Sequence, residues 1–187
     1  MNISISYPID MTRHILTQGF GENPQLYKQF IVKGIPLQGH NGLDYAQHSG
    51  NSDQVLAAAP GKVIKLTYEL GGYGQYVVIQ HEGFRTLYAH LSSFFAYVNF
   101  IVDTGDAIAL TGTTGFSSGV HLHFGLYPDG EPALNGYGGA VNPMPYYGKG
   151  ENFKPSGTLE YAINPTGNSI FIVRPNKWRK PAKARRK

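Results

Sequence analysis

The chain has 187 residues, 41% of them hydrophobic, which suffices for one domain with a buried core and leaves too little for two full domains. It contains no cysteine, so disulfides and thiolate ligands are excluded and a metal site must use histidine, carboxylate or water. The formal charge of +4 conceals a split, because residues 174–187 carry eight of the sixteen lysines and arginines and no acid. This segment is predicted to be disordered by itself and to bind a polyanion, unless it serves only as a solubilising tail.

Short strands joined by turns account for most of the chain. The 24 glycines and 12 prolines supply the turns, and no segment longer than ten residues has the 3.6-residue periodicity of a helix. The pattern predicts strands, in chain order, at 14–20, on both sides of the turn at 60–61, in a hairpin with arms 76–79 and 84–91, and at 94–102, 107–112 and 119–127. We therefore expect a mainly β domain of antiparallel sheet with little helix.

The return arm of the predicted hairpin contains the sequence LYAHLS, residues 87–92. Regular alternation places Tyr88 and His90 on one face of this strand, and Leu87, Ala89 and Leu91 on the other. Taken alone, His90 is typical of a structural histidine. A functional interpretation depends on the histidines elsewhere in the chain.

The stretch GVHLHFGLY, residues 119–127, places two of the seven histidines one residue apart. In a strand, His121 and His123 project from one face, while Leu122 and Phe124 project from the other. Two half-buried histidines that are hydrogen-bonded to the backbone would give the same pattern. The pair alone therefore leaves open whether it is structural or binds a metal.

The segment GHNGLDYA, residues 39–46, separates His40 from Asp44 by three residues. In a straight strand these side chains would start about 13 Å apart, too far to share one ion. Asn41 and Gly42 supply the turn chemistry that can bring them together. With one histidine of the later pair they would provide three protein ligands and an open fourth position, which is typical of a catalytic zinc site.

Five segments, in this order, closely resemble the lysostaphin-like peptidoglycan endopeptidases of peptidase family M23: GHNGLDYA, VLAAAPGKVIKL, GGYGQYVVIQHEGFRTLYAHLS, TGDAIALTGTTGFSSGVHLHFGLY and VNPMPY. The resemblance covers residues 17–146 and includes three metal and catalytic motifs in family order. It implies a fold of the LytM type, similar to the duplicated hybrid motif, in which long loops wall a groove. We then expect a zinc metallopeptidase domain at 1–148, an extension with a small hairpin at 149–173 and a basic tail at 174–187.

The resemblance also implies the site. One Zn²⁺ ion would be held by His40, Asp44 and His123, with His121 and His90 beside it as general base and as stabiliser of the charged intermediate. We favour His121 as the base, although either histidine suits either role, because the pKa of an unperturbed imidazole lies near neutral pH. The implied substrate is the stem or cross-bridge peptide of bacterial peptidoglycan, cleaved next to glycine or D-alanine by an enzyme expected to be monomeric.

Two departures from the family pattern concern residues outside the ligand set. Gly125 stands where many relatives have glutamate, and the linker after His90 is a few residues longer than usual. The remaining histidines, His14, His48 and His81, match no motif position, so we expect them on the surface or in turns.

Three other classes of protein deserve comparison. A catalytically silent wall-binding or activating module of the same fold would be expected to lack ligands, whereas this set is complete. A cupin-type oxygenase also carries His-x-His on a strand, but it needs a later histidine and none follows His123. A nucleic-acid-binding protein would interleave basic and aromatic residues across its sheet. Nucleic acid is therefore a predicted partner only of the basic tail, together with anionic wall polymers and membrane surfaces.

The beginning of the chain, MNISISYPID, has no basic region followed by an apolar one. No segment approaches the run of about 18 apolar residues that spans a membrane. We therefore expect no secretion signal here. A wall-acting enzyme without one would be a bacteriophage lysin, released by lysis or carried in the virion, or a mature chain whose signal has been removed.

Overall fold

The computed structural model describes residues 3–148, 157–163 and 169–175. Helix is limited to one turn, α1 (Pro24–Tyr27), and a short 3-10 helix at Met144–Tyr146 within these ranges. The strands are β1 (His14–Gln18), β2 (Ile31–Val32), β3 (Ile35–Pro36), β4 (Leu43–Gln47), β5 (Gln54–Leu56), β6 (Gly61–Glu69), β7 (Gly74–Gln80), β8 (Phe84–Phe94), β9 (Ile101–Val102), β10 (Ala107–Thr111), β11 (Leu122–Pro128), β12 (Gly157–Ile163) and β13 (Ser169–Pro175). The predicted mainly β fold is confirmed.

One antiparallel sheet brings the histidine-containing segments together. Its strands lie in the order β1-β4-β11-β8-β7-β6-β9, and β10 joins β8 to β5. Strand β11, with His123, is therefore flanked by β4, with Asp44, and by β8, with His90. In register, His123 lies opposite Asp44 on one side and Ala89 on the other.

The two faces of this sheet have different environments. Leu122 and Phe124 of β11 are completely buried in the main hydrophobic core, together with Tyr88 and Leu91 of β8. The opposite face carries His123 and a smaller apolar cluster. Alternation along β11 thus directs its histidine away from the core, as the sequence pattern predicts. None of the helices in the described part of the chain is long and apolar enough to cross a membrane.

A β-bulge in β8 changes the predicted alternation. Tyr88 pairs with Val77 and Leu91 pairs with Gln75, so two residues of β8 face the single residue between them on β7. His90 takes up the extra residue in a left-handed conformation, with φ of 60°. Tyr88 and Leu91 both enter the core, whereas His90 lines a groove on the opposite face. The prediction that Tyr88 and His90 share a face is therefore wrong, because bulges re-aim the side chains that follow them.

His14 and His81 also differ from the prediction. Only His48 is exposed on a turn, whereas His14 and His81 are buried. His14 Nδ1 donates to the Asp10 carbonyl at 2.8 Å, and His81 Nδ1 donates to the Pro60 carbonyl at 2.7 Å. Burial lowers the pKa of His81. Each imidazole satisfies a backbone group of a neighbouring turn, which local sequence patterns do not encode.

The C-terminal part contains a two-stranded sheet of its own, and β2 and β3 form another. β12 and β13 pair antiparallel, with Gly157 opposite Pro175 and Ile163 opposite Ser169. Most of the predicted basic tail, residues 176–187, lies outside the described residues. The proposed boundaries after residues 148 and 173 stay a prediction.

Candidate metal centre

Three side chains converge on one point at the floor of the groove. His40 Nε2 lies 2.8 Å from His123 Nδ1, and both nitrogens lie 3.0 Å from Asp44 Oδ1. All three residues are buried. The structure thus brings together the residues that the sequence analysis named as metal ligands.

The chemistry of these three atoms fits a divalent cation. His40 Nδ1 lies 3.0 Å from the Gly19 carbonyl, which only accepts, so this nitrogen carries the hydrogen and the lone pair is on Nε2. His40 Nε2 and Asp44 Oδ1 are both acceptors, and His123 Nδ1 carries at most one hydrogen. It can therefore donate to only one of the two. A cation satisfies all three atoms. Ligands about 2.0–2.1 Å from a tetrahedral zinc are about 3.3 Å apart, close to the separations found here.

The ionisation state of Asp44 also suits a metal ligand. Burial by itself raises the pKa of this carboxyl, but hydrogen bonds with His123 and His40 and their nearby charge hold it well below its ordinary value. Asp44 is therefore ionised at neutral pH. Metal binding needs no proton to be removed from it.

Backbone contacts before β4 place His40 beside Asp44. The His40 N–H donates to the Glu22 carbonyl at 2.9 Å, and the His40 carbonyl accepts from Gly21 N–H at 2.8 Å. His40 therefore belongs to a loop that ends where β4 begins, at Leu43. The separation expected in a straight strand does not apply, and the two side chains meet as the turn chemistry of Asn41 and Gly42 allows.

The position of His123 leaves no room for a side chain on Gly42. A Cβ atom on Gly42 would lie 2.6 Å from His123 Cε1 and 2.7 Å from the Phe124 carbonyl oxygen. We expect Gly42→Ala to displace the imidazole and weaken metal binding about 10–100-fold, as loss of a supporting contact does. Metal titration with a competing chelator measures this change. Gly148→Ala, where the nearest atom would be 3.6 Å away, is the control; unchanged affinity in Gly42→Ala would contradict the steric argument.

Two further histidines flank the cluster. The ring centroids of His90 and His121 are 4.6 Å apart, and the ring of His90 is 5.9 Å from that of His123. His121 Nε2 lies 3.8 Å from Asp44 Oδ2. The predicted catalytic pair therefore lies together beside the predicted ligands.

Backbone carbonyls fix the tautomers of this pair. His90 Nδ1 donates to the Thr114 carbonyl and His121 Nδ1 donates to the Gly119 carbonyl, both at 2.8 Å. In each neutral ring the lone pair is then on Nε2. Burial, with the charges of His123 and His121, lowers the pKa of His90 to about 3, so His90 is neutral near pH 7.

The glycine-rich loop at 112–119 provides both carbonyls, and sequence reasoning did not assign it this role. Its close fit to the neighbouring turn depends on two glycines with positive φ. A Cβ on Gly74 would lie 2.4 Å from the Thr114 carbonyl oxygen, and one on Gly115 would lie 2.3 Å from Gly74 N. The run of glycines just before His-x-His was the available signal.

The groove above the metal cluster is largely aromatic and apolar. Phe30 and Phe116 meet edge to face, 5.1 Å between ring centroids, and line it with Tyr27, Tyr73 and Ile31. Phe30 and Ile31 come from the long segment before His40, which includes the short strands β2 and β3, and Phe116 comes from the glycine-rich loop. The predicted arrangement of long loops around a groove is confirmed.

The fold and the site together are those of a metal-dependent peptidase. The chain matches Peptidase family M23 over residues 38–135, just over half of its length. It belongs to peptidase family M23, as the sequence motifs predict.

Relatives and solved structures agree with this family. Over 106 residues, 56% of this chain, it is 44% identical to a DD-carboxypeptidase/endopeptidase of Neisseria meningitidis serogroup B, of which it covers 22%. It is 31% identical over 156 residues to lysostaphin of Staphylococcus staphylolyticus, covering 81% of this chain and 29% of that protein. The lysostaphin catalytic domain of Staphylococcus simulans superposes with a TM-score of 0.57 at 26% identity, covering 71% of this chain and 91% of that domain. The matched region is thus only about a quarter of the length of these curated relatives.

Proposed function

We propose that the protein is a zinc-dependent endopeptidase that hydrolyses peptide bonds in the stem or cross-bridge of bacterial peptidoglycan. The observation that carries the proposal is the convergence of His40, Asp44 and His123 at the groove floor, with His90 and His121 beside them. The relatives support the proposed substrate, since they include a peptidoglycan DD-endopeptidase of Vibrio cholerae, which is 35% identical over 119 residues. Lysostaphin supports it as well.

The ligand set would hold one Zn²⁺, which supplies Lewis-acid chemistry by polarising the scissile carbonyl and acidifying water. His121 Nε2, which lies 3.8 Å from Asp44 Oδ2, accepts the proton of the attacking water. His121 then returns the proton to the leaving amine. In the resting enzyme His90 Nε2 is an acceptor, so His90 accepts a hydrogen bond from the attacking water, and the bound zinc would stabilise the oxyanion.

The same proposal places the action of the protein at the cell wall. The eight basic residues of 174–187 would hold a monomeric enzyme on an anionic wall polymer or a membrane surface, or would bind nucleic acid. A bacteriophage lysin or virion protein is the source that we propose for a chain of this kind. Comparing sedimentation with sacculi for the chain with and without 174–187 tests the role of the tail.

Release of free amines from purified sacculi tests the proposed activity. We expect release to stop with a chelator and to return when zinc is added, and the fragment masses to identify the bond. Magnesium added in place of zinc is the control, because it prefers oxygen ligands in octahedral geometry. No release from several wall types, despite one bound zinc per chain, would contradict the proposal and favour a non-catalytic wall-binding module.

A further inference from the structure

A second recess lies beside the metal groove on the same face of the sheet. Tyr73 and Asn41 line both depressions, and Arg85 and Tyr127 line only the second. The recess therefore continues the groove away from the histidines.

The strand register fixes where these groups lie. Tyr127 of β11 is directly opposite Arg85 of β8, and His123 lies two residues beyond Gly125 on the same face. A Cβ on Gly125 would be 3.2 Å from the Tyr127 hydroxyl and 2.8 Å from its Cε2, so the phenol leans back over this glycine. At about 3.4 Å per residue, that point is about 7 Å along the strand from His123.

One hydroxyl hydrogen in the recess has no acceptor within residues 3–148. Asn41 Nδ2 donates to the Tyr73 oxygen at 2.6 Å, and the hydroxyls of Tyr73 and Tyr127 are 3.1 Å apart. The two phenols carry two hydrogens, and the contact between them uses one. The other has no acceptor among the described residues, and it belongs to Tyr127 when Tyr73, which accepts from Asn41, donates to Tyr127. Burial raises the pKa of Tyr127 well above its ordinary value, so this phenol keeps its proton.

Arg85 adds a positive charge with donors to spare. Its Nε lies 3.9 Å from Asp129 Oδ1, and both side chains are about half exposed, at 46% and 48%. This long, solvated contact leaves the terminal nitrogens of Arg85 without a partner in the described part of the chain. A guanidinium beside a hydroxyl donor is the usual arrangement for a carboxylate ligand.

We propose that Arg85 and Tyr127 form a subsite that binds a carboxylate of the substrate, one or two residues from the scissile bond. This inference rests on the proposed function, because the ligand is a carboxylate of a peptidoglycan stem peptide. Two sources share that chemistry: the C-terminal carboxylate of the stem and an internal carboxylate on the residue next to the cross-link.

Peptides that differ only in their carboxylates test the subsite. Synthetic stem peptides are compared in three forms: both carboxylates free, the C-terminus as carboxamide, and the internal group as carboxamide. We expect one of the two amidated forms to lose about 10-fold or more in kcat/KM, mostly through KM, since a hydrogen bond to a charged group is lost. The amidated form that loses activity identifies which carboxylate the subsite binds.

Two variants assign the effect to the recess. Arg85→Gln and Tyr127→Phe should each reduce the preference for the free acid to within about 3-fold, and Tyr127→Phe does so while keeping the ring. Lys62→Gln removes an exposed charge outside the recess and should keep the full preference. Equal rates on all three peptides, or an unchanged preference in Tyr127→Phe, would overturn the subsite and leave the endopeptidase proposal intact.

Calorimetric binding of the same peptides to the metal-free protein separates the two proposals. If the free acid binds more tightly than its amide, and this difference disappears in Tyr127→Phe, the subsite is supported even when no peptide is cleaved. In that case only the proposed function fails. Equal binding of acid and amide by a protein that binds both would overturn the subsite.

Discussion

Asp44→Ala is expected to abolish metal binding and to lower peptide hydrolysis more than about 1000-fold, because the catalysed reaction depends on a metal that acidifies water. Asp44 is the one anionic member of the cluster, and it lies 3.0 Å from both His40 Nε2 and His123 Nδ1. Its loss leaves two imidazoles that a cation binds weakly. Metal content after dialysis and the rate of amine release from sacculi are the two measurements.

Two further variants make this result specific. Asp44→Asn keeps the shape of the side chain but removes its charge, so we expect it to lose metal while folding like the wild type. Asp103→Ala removes an exposed carboxylate from a distant turn and should change neither metal content nor rate. Stoichiometric zinc and full activity in Asp44→Ala would mean that the metal is bound elsewhere or that it is not needed.

Local sequence patterns suffice for much of the fold and for naming three residues that the structure brings together, His40, Asp44 and His123. The alternation of Leu122, His123 and Phe124 separates core from groove with no knowledge of the partner strands, because successive side chains of a strand point to opposite faces. The bend before Asp44 follows in the same way from Asn41 and Gly42. These features depend on residues within a few positions of one another.

Features that depend on pairing between distant strands were not predictable. The bulge at His90 is set by how β8 pairs with β7, and it places a residue other than glycine at a φ of 60°. Such backbone strain persists only where the surroundings stabilise it, here through the contact of His90 N–H with the Tyr73 carbonyl at 2.9 Å and of its imidazole with Thr114. The burial of His14 and His81 likewise comes from turns that pack on them in three dimensions.

His121→Ala should keep its metal and lose about 100- to 10,000-fold in kcat, the range expected for removal of a general acid–base group. The side chain lies next to Asp44 but outside the converging triangle of ligand atoms, so metal content should match that of the wild type. KM should change little, since the proton transfer occurs in the transition state. Rates and metal content measured on the same samples distinguish loss of the base from loss of the ion.

The pH profile separates His121 from His90. A base that must be deprotonated gives kcat/KM an acidic limb, and this limb should disappear from the residual activity of His121→Ala. In His90→Ala the limb should remain while the rate falls, because His90 is already neutral near pH 7 through its lowered pKa of about 3. His48→Ala, an exposed histidine on a turn, is the control. Wild-type turnover in His121→Ala would remove His121 from the mechanism, and loss of the acidic limb only in His90→Ala would exchange the two roles.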